Sequence, residues 1–186
     1  MAASKNPKVE LHGKKVFLRP PRAGDFPEFA ALMKVQRAEY RGFVTRQVKR
    51  KWFNDFVSCW QDRHARSFLI CRQPDGAIVG SIGVFNIVHR NTKTAFTGYS
   101  IGARHVRLGY ATEALQLALR FAFKQLKLHR IEASIQPHNA PSIALVKRAG
   151  FTCEGVARRF IKVGGRWRDH QRWAILADEW RGLRRN

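Results

Sequence analysis

Apolar and polar positions alternate along this chain in two rhythms. Period-two alternation and short apolar blocks predict strands over 16–19, 67–71, 78–88, 94–102, 130–135, 155–163 and 167–176. Helical spacing predicts four helices. The first is capped by Asp25, admits Pro27 in its first turn and runs to about Met33. The second covers 48–61, where Val48, Trp52, Phe53, Phe56, Val57 and Trp60 repeat on one face behind a cationic start at Arg46, Lys49, Arg50 and Lys51. The third begins near Thr112 and carries a broad apolar stripe from Ala114 and Leu115 to Leu126. The fourth begins within Pro137 to Ser142, with Asn139 or Ser142 as cap, and ends at Ala149 with Gly150 as its left-handed terminator. Turns at Pro74-Asp75-Gly76, His89 to Lys93 and Gly164-Gly165 join antiparallel neighbours. The order β-α-α-β-β-β-α-β-α-β-β implies an α+β fold. Its sheet is mixed and mostly antiparallel, with a parallel crossover only around the two helices after Gly102.

Composition narrows the setting. A chain of 186 residues with 45% hydrophobic content is expected to form a single domain, with flexible tails at 1–12 and 181–186. No apolar run reaches the roughly 18 residues of a membrane span, and the N-terminus lacks the apolar core of a signal peptide. A cytoplasmic, soluble protein without membrane contact is therefore expected. Cys59, Cys71 and Cys153 are too scattered for a zinc knuckle, so they are read as reduced thiols packed as small apolar groups, with no metal. Charge is the outlying property: 35 Lys and Arg against 13 Asp and Glu leave +22. Such a field concentrates anions, which points to nucleic acid, the ribosome or a phosphate-rich cofactor, with a general compositional bias as the alternative.

One stretch carries candidate chemistry. From Ile101 to Glu113 an apolar run stops at a glycine, a basic loop follows, and a helix begins. Gly109 lets an anion approach the main chain, the first helical N–H groups have no intrahelical partner, and Arg104, His105 and Arg107 add positive charge. A phosphate fits such a turn.

Several short motifs in order extend this reading. They are Thr97 to Gly102, Gly109 to Leu115, His129 to Glu132, Pro137 to Ser142, Gly150 to Gly155, and Gly165 to His170. Together they resemble the GCN5-related N-acetyltransferase superfamily, and within it the RimJ/RimL type of ribosomal-protein N-terminal acetyltransferase, over about 16–176. The resemblance implies a sheet of about seven strands with helices on both faces and a splayed central pair that admits acetyl-CoA as co-substrate. It places the backbone of Tyr99, Ser100 and Ile101 on the pantetheine arm, and the amides of Arg107, Leu108, Gly109, Tyr110, Ala111 and Thr112 on the pyrophosphate. Asn139 and Ser142 would lie near the thioester sulfur, with Lys147 or His138 near the phosphates. Three positions depart from the family pattern. Val106 and Arg107 replace the usual start and second glycine of the loop, and Val146 stands where many relatives carry a proton-donating tyrosine.

The implied reaction is direct attack of a neutral amine on the thioester. Ser142 is the candidate to stabilise the leaving thiolate, Asn139 supports it, and Glu132 is the candidate base, although an outward, solvated glutamate explains Glu132 as well. Glu154 and Asp169 read as structural acceptors, and Glu113 as a dipole-stabilising residue of the first helical turn. The acceptor implied by the subgroup is a peptide or protein N-terminus, with ribosome or RNA association through the basic surface. A small amine or antibiotic is the second reading, and a non-catalytic CoA- or RNA-binding protein the third. Monomer and homodimer both remain open.

Overall fold

The computed structural model describes residues 9–39, 49–60 and 62–182, with side chains omitted at 35–39. Eight strands form one sheet in the order β1-β2-β3-β4-β5-β6-β8-β7. The strands are β1 (Leu11–His12), β2 (Val16–Arg19), β3 (Ala65–Arg72), β4 (Ile78–Val88), β5 (Thr94–Ile101), β6 (Arg130–Ile135), β7 (Thr152–Val163) and β8 (Arg166–Leu176). The helices are α1 (Phe26–Glu39), α2 (Arg50–Ser58), α3 (Tyr110–Arg120) and α4 (Ala140–Ala149). Every strand pairing is antiparallel except β5 with β6. The α+β reading and its one parallel crossover hold.

Alternation within each strand explains why both faces of the sheet are covered. Leu18, Phe68 and Ile70 belong to the core under α3 and α4, while Leu69 and Cys71, their neighbours in sequence, join Phe29 and Phe53 under α1 and α2. Phe29, Trp52 and Phe56 stack in that second core, with Phe29 and Trp52 at 6.2 Å and Trp52 and Phe56 at 5.3 Å between ring centres. Arg50 is one of the cations at the start of α2. It lies 3.9 Å from the centre of the Phe26 ring, so part of that positive cluster packs rather than waits for an anion.

Several expectations need correction. Leu11 and His12, assigned to a mobile tail, pair with Leu18 and Phe17, and Leu11 is buried, which raises the strand count from seven to eight. Asp25 does not cap α1: its carboxylate takes the guanidinium of Arg19 at 2.7 and 2.8 Å and the N–H of Arg22 at 2.7 Å. The helix itself runs past Met33 to Glu39. Helix α2 covers Arg50–Ser58, and the expected ends Val48 and Gln61 lie outside the described residues. The long third helix starts at Tyr110, and its final turn, Phe121–Gln125, is π-helical. Among the thiols, Cys71 is buried and Cys59 half-buried beside Ser67, but Cys153 is exposed. No helix among the described residues is long and apolar enough to cross a membrane.

Candidate active site

Only three residue pairs join the two halves of the sheet: Thr94 with Arg130, Ala95 with Ile131, and Phe96 with Glu132. Beyond them the strands diverge. Thr97 to Ile101 stay paired with β4, and Ala133 to Ile135 stay paired with β8, so an opening lies between β5 and β6. Strand edges carry a row of backbone donors and acceptors, which suits an extended chain that bears amides. Tyr99, Ser100 and Ile101 lie on this edge.

Below the opening, β5 leads through a short 3-10 turn at Ala103–His105 into α3. Gly109, with φ of 83°, precedes the helix, and no side chain caps it, so the amides of Tyr110, Ala111 and Thr112 face outward as anion donors. Arg107 adopts φ of 64°, the conformation that the missing glycine would favour. The departure in sequence is therefore not a departure in backbone shape. Leu108 is exposed, and its carbonyl accepts from Lys15 Nζ at 3.1 Å.

Lys15 is a residue that sequence reading missed. It comes from the turn before β2, and nothing in local spacing marks it. Its position is fixed by Glu113, whose carboxylate accepts the N–H groups of Lys14, Lys15 and Val16 at 2.6, 2.7 and 2.8 Å. Glu113 thus clamps a distant turn to the start of α3 and does more than oppose the helix dipole. The clamp brings one more cation to the anion loop. Arg72, held by Asp75 with Nε to Oδ1 at 3.0 Å, and His105 lie on the same side. Burial and then the charges of Arg72 and Arg104 lower the His105 pKa.

On the α4 side, Asn139 caps the helix through Oδ1, which accepts the Ser142 N–H at 3.2 Å. Of the two cap candidates it is Asn139 that serves. The Tyr99 hydroxyl donates to the Ser142 carbonyl at 3.4 Å, and burial pushes the phenol up to about 12. It stays protonated and braces Ser142 from across the opening. Lys147 lies in the last turn of α4, its ammonium 5.8 Å from the centre of the Trp173 ring. His138 precedes the cap and is exposed.

Glu132 lies on the opposite face of the sheet from α4, beside Phe96. Its carboxylate takes Arg130 Nε at 3.0 Å and also the guanidinium of Arg172, and its side chain is only 12% exposed. The solvated, outward glutamate expected from the sequence is not what the structure shows. Arg130 continues to Glu154 through Nη1 at 2.7 Å, and Asp169 accepts the Arg159 N–H at 2.7 Å, so both acidic motif residues act as acceptors. The Arg172 guanidinium lies 5.7 Å from the Phe96 ring centre and 5.3 Å from that of Phe160. Cross-strand neighbours Ser134 and Arg172 each hold a buried polar atom, Oγ and Nε, with no hydrogen-bond partner among the described residues. Both atoms are shut off from solvent within this face of the sheet. No cluster of three metal-ligating side chains occurs among the described residues.

Comparison with known proteins agrees with this architecture. The family profile of the acetyltransferase (GNAT) domain matches residues 15–152. The protein named Probable N-acetyltransferase YjcK from Bacillus subtilis (strain 168) is 34% identical over 174 residues, covering 89% of this chain and 96% of its own length. The [Ribosomal protein uS5]-alanine N-acetyltransferase of Escherichia coli (strain K12) is 36% identical over 103 residues, which is 55% of this chain and 53% of that protein. The structure of Mycobacterium smegmatis RimJ in complex with CoA-disulfide superposes with a TM-score of 0.80 at 30% identity, covering 88% of this chain and 83% of that one. The splayed pair, the uncapped anion loop and these matches together make the chain a member of the GNAT acetyltransferase family. It is an acetyl-CoA-dependent N-acetyltransferase.

Proposed function

We propose that this enzyme acetylates the α-amine of a peptide or protein N-terminus, with a ribosomal protein as the favoured acceptor. The observation that carries the reading is Glu132, whose carboxylate is already paired with Arg130 and Arg172. A polycation such as a polyamine needs carboxylates to receive it, and Glu132 is already neutralised. The uS5-alanine acetyltransferase relative, whose name specifies a protein substrate, supports the same choice.

Acetyl-CoA supplies the activated acetyl group, and the residues present suit it. The edge of Tyr99, Ser100 and Ile101 takes the pantetheine amides. The loop from Arg107 to Thr112, with Lys15, takes the pyrophosphate. Lys147 or His138 extends the phosphate contacts. An α-amine has a pKa of about 7.7 to 8.0, so on the order of a tenth is neutral at pH 7 without a strong base. This removes the need to free Glu132 from its arginines; Glu132 orients Arg172 toward the acceptor and takes a proton only through water. Ser142 Oγ, positioned by the Asn139 cap and the Tyr99 brace, donates a hydrogen bond to the leaving thiolate, the role that Val146 cannot fill.

A mass-spectrometric panel with acetyl-CoA tests the acceptor. Peptides with a free N-terminus are acetylated at the α-amine, while N-terminally blocked peptides with a free lysine, spermidine and aminoglycosides are not. Preferential modification of a polyamine or antibiotic would overturn the reading. The thiolate role predicts that Ser142→Ala lowers kcat by about 10- to 1,000-fold with CoA affinity within about twofold of the parent. Equal kcat in the two proteins removes Ser142 from the chemistry.

A further inference from the structure

Strand β7 is the edge of the sheet and pairs only with β8, while β8 pairs with β6 only from Gln171 onward. Residues 156–170 therefore project as a two-stranded ribbon. This ribbon carries five cations, Arg158, Arg159, Lys162, Arg166 and Arg168, against one carboxylate, Asp169, whose Oδ1 is taken by the Arg159 N–H. It also carries large apolar groups in solvent: Trp167 is 60% exposed, Val156 56% and Phe160 40%.

Near the turn, each cross-strand pair joins a cation to an apolar side chain. Val163 faces Arg166, Lys162 faces Trp167, and Ile161 faces Arg168. Charge on an edge strand is a known device against unwanted strand pairing, and it accounts for the arginines. It does not account for an indole left in water. A membrane-inserting tip would segregate its apolar groups from its cations, and here they interleave. A second copy of this ribbon would bring two cationic surfaces together. Interleaved cations and exposed rings match a strand of unpaired bases: phosphates meet the guanidinium and ammonium groups, and bases stack on the rings. Phe160 is already held against Arg172.

We propose that the β7–β8 ribbon is a binding surface for single-stranded RNA, with Trp167 and Phe160 as stacking platforms and Arg158, Arg159, Lys162, Arg166 and Arg168 as phosphate contacts. The choice of RNA over DNA rests on the reading of the acceptor as a ribosomal protein; the surface chemistry does not depend on it.

Fluorescence anisotropy of a labelled oligouridylate of about 20 nucleotides, titrated with the full chain from about 50 to about 300 mM potassium chloride, tests the proposal. Trp167→Ala weakens binding by at least about fivefold with an unchanged salt slope, and Trp167→Phe restores most of it. The double variant Arg166→Gln, Arg168→Gln lowers the slope of log affinity against log salt by about 1.4. Circular dichroism and melting temperature report folding; should Trp167→Ala lose its fold, Trp167→Phe and the arginine pair still decide. Unchanged affinity and slope in all variants overturns the proposal. So does tighter binding of a single-stranded DNA of equal length, capture by phosphatidylserine vesicles that Trp167→Ala abolishes, or a Trp167-dependent dimer without RNA binding. The measurement uses neither acetyl-CoA nor acceptor. RNA binding without peptide acetylation removes only the acceptor reading, and peptide acetylation without RNA binding removes only this surface.

Discussion

Arg107 shows how a single residue keeps a loop's shape while changing its charge. Its φ of 64° lies in the region where a side chain costs on the order of 1 kcal/mol, and the loop accepts that cost. Replacing it with glycine and with alanine separates the two effects. Arg107→Gly retains the loop and is expected to be more stable than Arg107→Ala by about 1 kcal/mol in urea denaturation. Both lose the guanidinium and bind CoA about two- to fivefold more weakly at low salt, a gap that narrows as salt rises. Equal stability of the two variants would mean that the left-handed conformation is not required in solution. Lys15 and Glu113 make a related point. The contact from Lys15 to the Leu108 carbonyl spans 93 residues of sequence, which is why no spacing argument reached it.

Among the elements, α4 was the most legible. Asn139, Pro141 and Gly150 are local signals whose chemistry depends on the backbone itself, and the structure uses them as a cap, a first-turn proline and a left-handed terminator with φ of 95°. Asn139→Ala is expected to lower stability by about 1 kcal/mol, since the Ser142 N–H loses its acceptor, and to lower kcat with it because Ser142 is then less well placed. Calorimetry and single-turnover kinetics check the two halves; a full stability loss with unchanged turnover would confine Asn139 to capping. Strand centres were equally legible, because alternation survives burial on both faces. What escaped notice was set by tertiary partners. A two-residue strand at Leu11 and His12 has no period to detect. Asp25 looks like a cap until Arg19 is beside it. Glu132 reads as solvated by parity alone, because the arginines that enclose it come from its own strand and from a strand 40 residues later.

For the whole molecule, pH acts through groups kept neutral by burial. Burial pushes the Cys71 thiol up to about 11 and the Tyr99 phenol up to about 12. In the unfolded chain these groups release protons near 9 and 10, while the folded protein still holds them. The unfolded state then binds fewer protons, so stability falls as pH rises. The loss starts near pH 9 and is complete as pH passes the folded values of about 11 and 12. Tyr99→Phe is expected to remove the part of this decline above pH 10, about 1.4 kcal/mol by pH 11, in urea denaturation series at pH 7 to 11. An identical alkaline slope in the variant would show that the phenol is not buried in solution.

The seam of three residue pairs between β5 and β6 also orders events in time. Strands β1 to β5 form a continuous antiparallel series in chain order, and β6 needs β8, the last strand among the described residues, to complete its other edge. As the polypeptide emerges N-terminus first, the first half-sheet closes by neighbour pairing while the second waits for β8 to be made. The divergence that receives the cofactor therefore comes into being last, when two finished halves meet along a seam too short to zip further.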